Sequence, residues 1–195
     1  MNICIYGSSS NHIDKAFLDE SEALGADIAL KGHTLVYGAG GEGIMGAVAR
    51  GAAGCNGNII GIVPEFLDFG GNLFTGCTKL IKTKDMHERK QLLEDKSDAF
   101  IIMPGGVGTF DEFFETLTLK QLGQHNKAIV IYNINGYFDE IEAALEKAIN
   151  QHFMTESCHG IYKFFNDRSE LFEYLSHYHS QNINIHEMKY VDNHN

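Results

Sequence analysis

Basic side chains are scarce in this chain. Lysine and arginine number 15 against 26 aspartates and glutamates, only three arginines occur (Arg50, Arg89 and Arg168), and the formal net charge is −11. A field of that sign repels phosphate backbones and anionic lipid, which argues against a nucleic-acid groove and against a polybasic membrane face. Cysteine is sparse too. Cys4, Cys55, Cys77 and Cys158 stand apart, with no CxxC pair and no dense framework, as expected for reduced thiols of a cytoplasmic protein. No metal site is expected: His177, His179 and His194 lie in a polar C-terminal stretch without cysteine or carboxylate partners at ligand spacing, and read as surface residues. Long hydrophobic runs are missing as well. No basic n-region precedes an apolar h-region, and no stretch reaches the length of a membrane span, so a soluble intracellular protein is expected.

What is present suffices for one core. The 195 residues are 44% hydrophobic, enough for a full interior and too few for two comfortable domains. Short β-branched runs alternate with segments of helical period, and each run ends in glycine or a small polar residue, the pattern of βα units on a parallel sheet. The expected strands are Asn2 to Tyr6, Thr34 to Tyr37, Asn58 to Val63, Thr78 to Ile81, Ala99 to Met103, Ala128 to Tyr132 and, at an edge, Ile161 to Phe165. The most apolar, Ala99 to Met103, is expected to be central. Helices are expected between them, one carrying Ile13, Phe17, Leu24 and Ile28 on one face and closing at Gly32, and another carrying Phe110, Phe113, Phe114 and Leu117 as core. The tail from Ser180 reads as polar and loosely held.

Two glycine-loaded turns compete for a ligand. YGAGGEGIMG contains G-x-G-x-x-G twice, as Gly38-Gly40-Gly43 and Gly41-Gly43-Gly46, between a strand and a helix, and Glu65 follows Gly46 by nineteen residues. That is the layout of a dinucleotide site with a ribose-binding acid, or of glycines that merely let helix and sheet pack closely. The second turn, MPGGVGTFDE, places Gly105, Gly106 and Gly108 at the start of a helix, where free N–H groups and the helix dipole favour a phosphate, with the Thr109 hydroxyl as a further donor. Thr109-x-x-Glu112 is also a capping box. Asp111 and Glu112 would repel an anion there, unless the ligand has phosphate at one end and develops positive charge at the other. Cleavage of an N-glycosidic bond in a nucleotide does this, because the ribose passes through an oxocarbenium-like state that a carboxylate stabilises. Six basic residues, Lys79, Lys82, Lys84, Arg89, Lys90 and Lys96, fall within eighteen positions, partly offset by Asp85, Glu88, Glu94 and Asp95. Arg89 would supply a fixed cation to the site, or else pair with Glu88 or Glu94 on an exposed helix.

DMHERK (Asp85 to Lys90) and PGGVGTFDE (Pro104 to Glu112), with fifteen residues from Arg89 to Pro104, resemble the paired motifs of the Lonely Guy (LOG) proteins, the cytokinin riboside 5'-monophosphate phosphoribohydrolases long misnamed lysine decarboxylases. The likeness spans roughly residues 2 to 154, through CIYGSSS, LVYGAGGEGIMG, IIGIVP, SDAFIIMPGG and QLGQHNKAIVIYNINGYFD. It implies a single Rossmann-like α/β domain over residues 1–180, three layers with a central parallel β-sheet flanked by helices, followed by a tail over 181–195. It also implies hydrolysis of a nucleoside 5'-monophosphate, a cytokinin riboside monophosphate or AMP, to free base and ribose 5-phosphate. By motif position Arg89 and Glu112 would be catalytic. Gly105, Gly106, Val107, Gly108 and Thr109 would hold the phosphate, and Lys90, Thr118, Gly40, Gly41 and Ser8 would lie near the nucleotide. A homodimer is implied, with no cofactor, and neither nucleic acid nor membrane as partner. Three positions depart from the family pattern: Gly71 replaces a loop acid of plant members, Leu119 a tryptophan, and Asp111 the first acid of the usual pair. Base identity is the part that transfers least. A different class remains open, since related Rossmann-like proteins bind molybdenum cofactor as non-hydrolytic carriers.

Overall fold

The computed structural model describes residues 1–180 and 183–189. Seven strands, all paired in parallel, form one sheet in the order β4-β3-β2-β1-β5-β6-β7. They are β1 (Asn2–Tyr6), β2 (Thr34–Tyr37), β3 (Asn58–Pro64), β4 (Lys79–Thr83), β5 (Ala99–Ile102), β6 (Ala128–Tyr132) and β7 (Lys163–Phe165). The helices are α1 (Lys15–Leu30), α2 (Gly43–Gly54), α3 (Met86–Asp95), α4 (Val107–Gln121), α5 (Asp139–Asn150), α6 (Arg168–His177) and the short α7 (Ile185–Lys189). Among the described residues no helix is long and apolar enough to cross a membrane.

Alternation along each strand divides the core into two layers, because successive side chains point to opposite faces. Ile3, Ile5, Ala99 and Ile101 pack with α1, α2 and α6 through Leu24, Ile28, Ile44, Val48, Leu171 and Leu175. Cys4, Tyr6, Phe100 and Ile102 pack with α3, α4 and α5 through Leu93, Phe113, Leu117, Leu145 and Ile149. This is the expected Rossmann-like α/β arrangement of a parallel sheet between helical layers. The helix ends follow local chemistry. Asp14 caps α1 by accepting from Ala16 N, and α1 closes at left-handed Gly32 (φ 74°), with Gly32 N donating to Ala29 O and His33 N to Ile28 O, each at 2.9 Å.

Several expectations need correction. The middle strand is β1, not the run Ala99 to Met103, which forms its neighbour β5; both are covered on two faces, so apolarity alone does not separate them. Phe114 is 40% exposed while Phe113 and Leu117 are buried, because adjacent residues of a helix point about 100° apart and only one of Phe113 and Phe114 can face the sheet. The C-terminal stretch is not loose throughout: α7 buries Met188, whose carbonyl accepts from Gln121 Nε2 at 3.0 Å. Of the three tail histidines, His194 lies outside the described residues.

Candidate active site

The chain leaves β1 toward β2 on one side and β5 toward β6 on the other, so the turns after β1 and β5 diverge and open a crevice at the carboxyl ends of the strands. Backbone bonds hold its floor: Met103 N donates to Tyr6 O at 2.8 Å, Ser8 N to Pro104 O at 3.1 Å, and Met45 N to Ser8 O at 3.2 Å. A cleft of about 390 Å³ lies there, lined by Gly7, Ser8, Ser9 and Ser10 from the first turn, Gly106, Gly108, Thr109, Asp111 and Glu112 from α4, Met86 and Arg89 from α3, and Met45 and Leu67.

Gly106 precedes α4 as its N-cap, without a side-chain cap. The amides of Val107, Gly108 and Thr109 find no acceptor among the described residues, so the first turn keeps free donors and the positive end of its dipole. Glu112 does not close a capping box. Its carboxylate instead takes Arg89 Nη1 at 2.6 Å, with both side chains about nine-tenths buried, while Arg89 Nε donates to Ile62 O at 3.3 Å. Burial pushes the Glu112 carboxyl above its ordinary range, and the Arg89 guanidinium works against that rise. The two readings left open for Arg89 are thereby separated: it is neither exposed nor paired with Glu88 or Glu94.

Two glycines make room for the side chains of this site. A Cβ at Gly38 would overlap the Arg89 guanidinium at Nη2, and one at Gly105 would overlap the Thr109 hydroxyl. The first turn of α2 is differently furnished. Gly43 N donates to Asn11 Oδ1 at 2.7 Å and Met45 N to Ser8 O, so the turn that matches the dinucleotide pattern has already spent these donors within the chain. Glu65, the would-be ribose acid, is exposed outside the cleft.

Of the residues singled out by sequence, the cleft gathers Arg89, Glu112, Gly106, Gly108, Thr109 and Ser8. Gly105 lies behind Thr109, with its carbonyl accepting from Tyr137 Oη at 2.8 Å. Lys90, Val107 and Thr118 line a neighbouring open groove of about 570 Å³ with Phe110, Phe114 and Leu119, and Asp111 belongs to both cavities. Lys90 faces carboxylates, Asp111 at 3.2 Å and Glu115 at 2.5 Å; burial alone would lower its pKa, but the two acids hold it above the usual lysine range. Three of the six cluster residues, Arg89, Lys90 and Lys82, thus face carboxylates, Lys82 that of Asp68 at 2.7 Å, and Arg89 is the one cation lining the cleft among the described residues. Gly40 and Gly41 lie under the segment Asn72–Phe74 and not in the cleft. Sequence reasoning did not single out Met45, Leu67 and Met86 as lining residues; Met86 sits inside the DMHERK motif, whereas Leu67 carries no local signal.

The family model described as "Possible lysine decarboxylase" matches residues 45–175. A cytokinin riboside 5'-monophosphate phosphoribohydrolase of Mycobacterium tuberculosis is 40% identical over 154 residues, 78% of this chain and 81% of its own length. A probable cytokinin riboside 5'-monophosphate phosphoribohydrolase of Arabidopsis thaliana is 33% identical over 179 residues, 91% of this chain and 88% of its own. Among solved structures, a molybdenum cofactor carrier protein from Chlamydomonas reinhardtii superposes with a TM-score of 0.68 at 19% identity, covering 90% of this chain and 95% of the other, a likeness of fold alone.

Proposed function

The chain belongs to the Lonely Guy family of the possible-lysine-decarboxylase type, and from that footing we propose that it hydrolyses the N-glycosidic bond of a nucleoside 5'-monophosphate, a cytokinin riboside monophosphate or AMP, releasing free base and ribose 5-phosphate. One observation carries this reading. Free amides for an anion and a buried arginine–carboxylate pair share a single cleft, about one helical turn, 5.4 Å, apart along α4.

In this reading the phosphate sits on the amides of Val107, Gly108 and Thr109 with the Thr109 hydroxyl as a further donor. The ribose then lies toward Glu112. As the C1'–N bond breaks, positive charge grows on the sugar ring and the Glu112 carboxylate faces it in a site largely shielded from water, where such a charge is stabilised most. Arg89 favours the ionised form of that carboxylate and opposes the upward pull of burial. Water adds at C1', its proton is lost, and the base departs carrying a proton. The older name of the family does not fit. A decarboxylase using pyridoxal phosphate needs a lysine at the reacting atom, and among the described residues no lysine lines the cleft.

The test is incubation with AMP and with its N6-isopentenyl derivative, following free base and ribose 5-phosphate, with Arg89→Ala and Glu112→Gln in parallel. Release by the wild type that both variants lose is the expected result. Tight binding without release would overturn hydrolysis and favour a carrier, the reading that the fold shared with the molybdenum cofactor carrier supports. The homodimer implied by the resemblance is likewise proposed, with sedimentation as its test.

A further inference from the structure

The glycine turn Gly38 to Gly46, where Gly43 N and Met45 N are already bonded within the chain, holds a segment of the chain itself. Gly41 N donates to Asn72 O at 2.9 Å, Phe74 N donates to Ala39 O at 3.0 Å, and Gly40 pairs with Leu73 in an antiparallel bridge. A Cβ at Gly41 would come within 3.2 Å of Asn72 O and 3.3 Å of the Leu73 and Phe74 backbone, so a side chain there would press the two backbones apart by a few tenths of an ångström. The Asn72 side chain then fastens the loop ahead of it. Its Nδ2 donates to Leu67 O at 2.9 Å and its Oδ1 accepts from Phe69 N at 3.3 Å. The loop turns through left-handed Gly70 and Gly71 (φ 62° and 75°), is tied to β4 by the Asp68–Lys82 pair, and places the side chain of Leu67 in the wall of the cleft.

We propose that Leu67 is a specificity-determining residue and Asn72 its positioning residue, the glycine turn and the Asn72 clamp together holding Leu67 where the base of a bound nucleotide lies. This rests on the reading that the cleft takes a nucleoside 5'-monophosphate. The α4 amides and the Arg89–Glu112 pair account for phosphate and ribose. The apolar side chains that remain in the lining are Leu67, Met45 and Met86. Such a wall, two of its members being pliable thioethers, sorts bases by apolar contact and not by hydrogen-bond readout, and suits an alkyl group on the exocyclic amine of a purine.

The experiment measures Kd and kcat/KM for AMP and for N6-isopentenyl-AMP with the wild type, Leu67→Ala, Leu67→Met, Asn72→Ala and the Leu67→Ala/Asn72→Ala double variant. Loss of a few methylenes from a hydrophobic pocket changes discrimination roughly ten- to two-hundredfold. The preference for the alkylated nucleotide is therefore expected to fall about tenfold or more in Leu67→Ala and in Asn72→Ala, and to be restored in Leu67→Met. In the double variant it should fall no further than in Leu67→Ala, since Asn72 acts through Leu67. A purely structural role for Asn72 would weaken both nucleotides equally, and an unchanged preference in Leu67→Ala and Asn72→Ala overturns the inference. Because the preference is read from binding as well as turnover, a protein that binds without hydrolysing removes the hydrolase reading and still decides this one.

Discussion

Gly38 gives up its side chain to Arg89. The guanidinium Nη2 fills the space a Cβ on Gly38 would need, and Nη1 reaches Glu112 from there. A glycine of the dinucleotide-like pattern thus belongs to a carboxylate pair and not to a pyrophosphate.

Gly38→Ala should therefore act as an active-site variant without touching substrate. Displacing a positioned group by about 1 Å can cost on the order of a hundredfold in rate. We expect a loss of that order in kcat/KM for base release, with little further loss when Arg89→Ala is added. Kinetics of the two single variants and the double variant check it; strictly additive losses would place Gly38 outside the pair's geometry.

Glu112→Gln keeps the size of the side chain and removes its charge. Base release should fall about 10²- to 10⁴-fold, while the nucleotide stays bound in an equilibrium titration. The pH dependence follows from burial, which raises the Glu112 pKa above its ordinary 4.5. The folded protein then holds this proton to higher pH than the unfolded chain does. The stability tied to Glu112 is full below about pH 4.5 and declines as pH rises through the raised pKa. Thermal melts from pH 4.5 to 8 should show the wild type losing ground to Glu112→Gln. A constant gap between the two would contradict the assigned burial effect.

Removing Arg89 leaves a buried carboxylate without its partner. Losses of about 3–5 kcal/mol are typical when one member of such a pair is deleted. Arg89→Ala should be destabilised by an amount in this range at pH 7 and by less near pH 4.5, where Glu112 takes up a proton. Chemical denaturation at the two pH values decides the matter.

Lys120 is 1% exposed and, among the described residues, pairs with no acid; its Nζ donates to Lys127 O at 2.7 Å and to Tyr178 Oη at 2.9 Å. Burial lowers its pKa to about 8. The unfolded chain then holds this proton to higher pH, so the penalty of burying the ammonium fades as pH rises through about 8. Relative to Lys120→Met, the wild type should gain stability between pH 7 and pH 9.5, as read by paired thermal melts.

Much of the architecture was legible because it is written locally. The seven apolar runs lie where the strands are, and Gly32 ends α1 as its left-handed geometry demands. The MPGGVGTFDE turn also reads directly, as a helix start with unpaired donors. The roles of Glu112 and Arg89 did not follow from spacing alone, since Thr109-x-x-Glu112 satisfies a capping box equally well and a lone helix arginine is ordinarily exposed. What separates the alternatives is the bond from Arg89 on α3 to Glu112 on α4, a tertiary fact. The same holds for Asn72, whose three partners Gly41, Leu67 and Phe69 share no sequence signature, and for α7, too short to form without the contacts of Met188.

The position of β1 has a consequence for synthesis. Its residues are made before those of every other strand of the sheet, yet one of its two edges is completed only by β5, with Asn2 N bonded to the Asp98 carboxylate at 2.7 Å and Asp98 N to Asn2 O at 2.8 Å. At about 5–20 residues per second, roughly 5–20 s pass before that partner emerges. For that interval the strand destined for the middle of the sheet presents an open, apolar edge, the kind that recruits a neighbouring chain. Slowed elongation between β1 and β5 therefore lengthens the period of greatest exposure to aggregation, and a chaperone that shelters nascent strands would act on this protein before its ligand can.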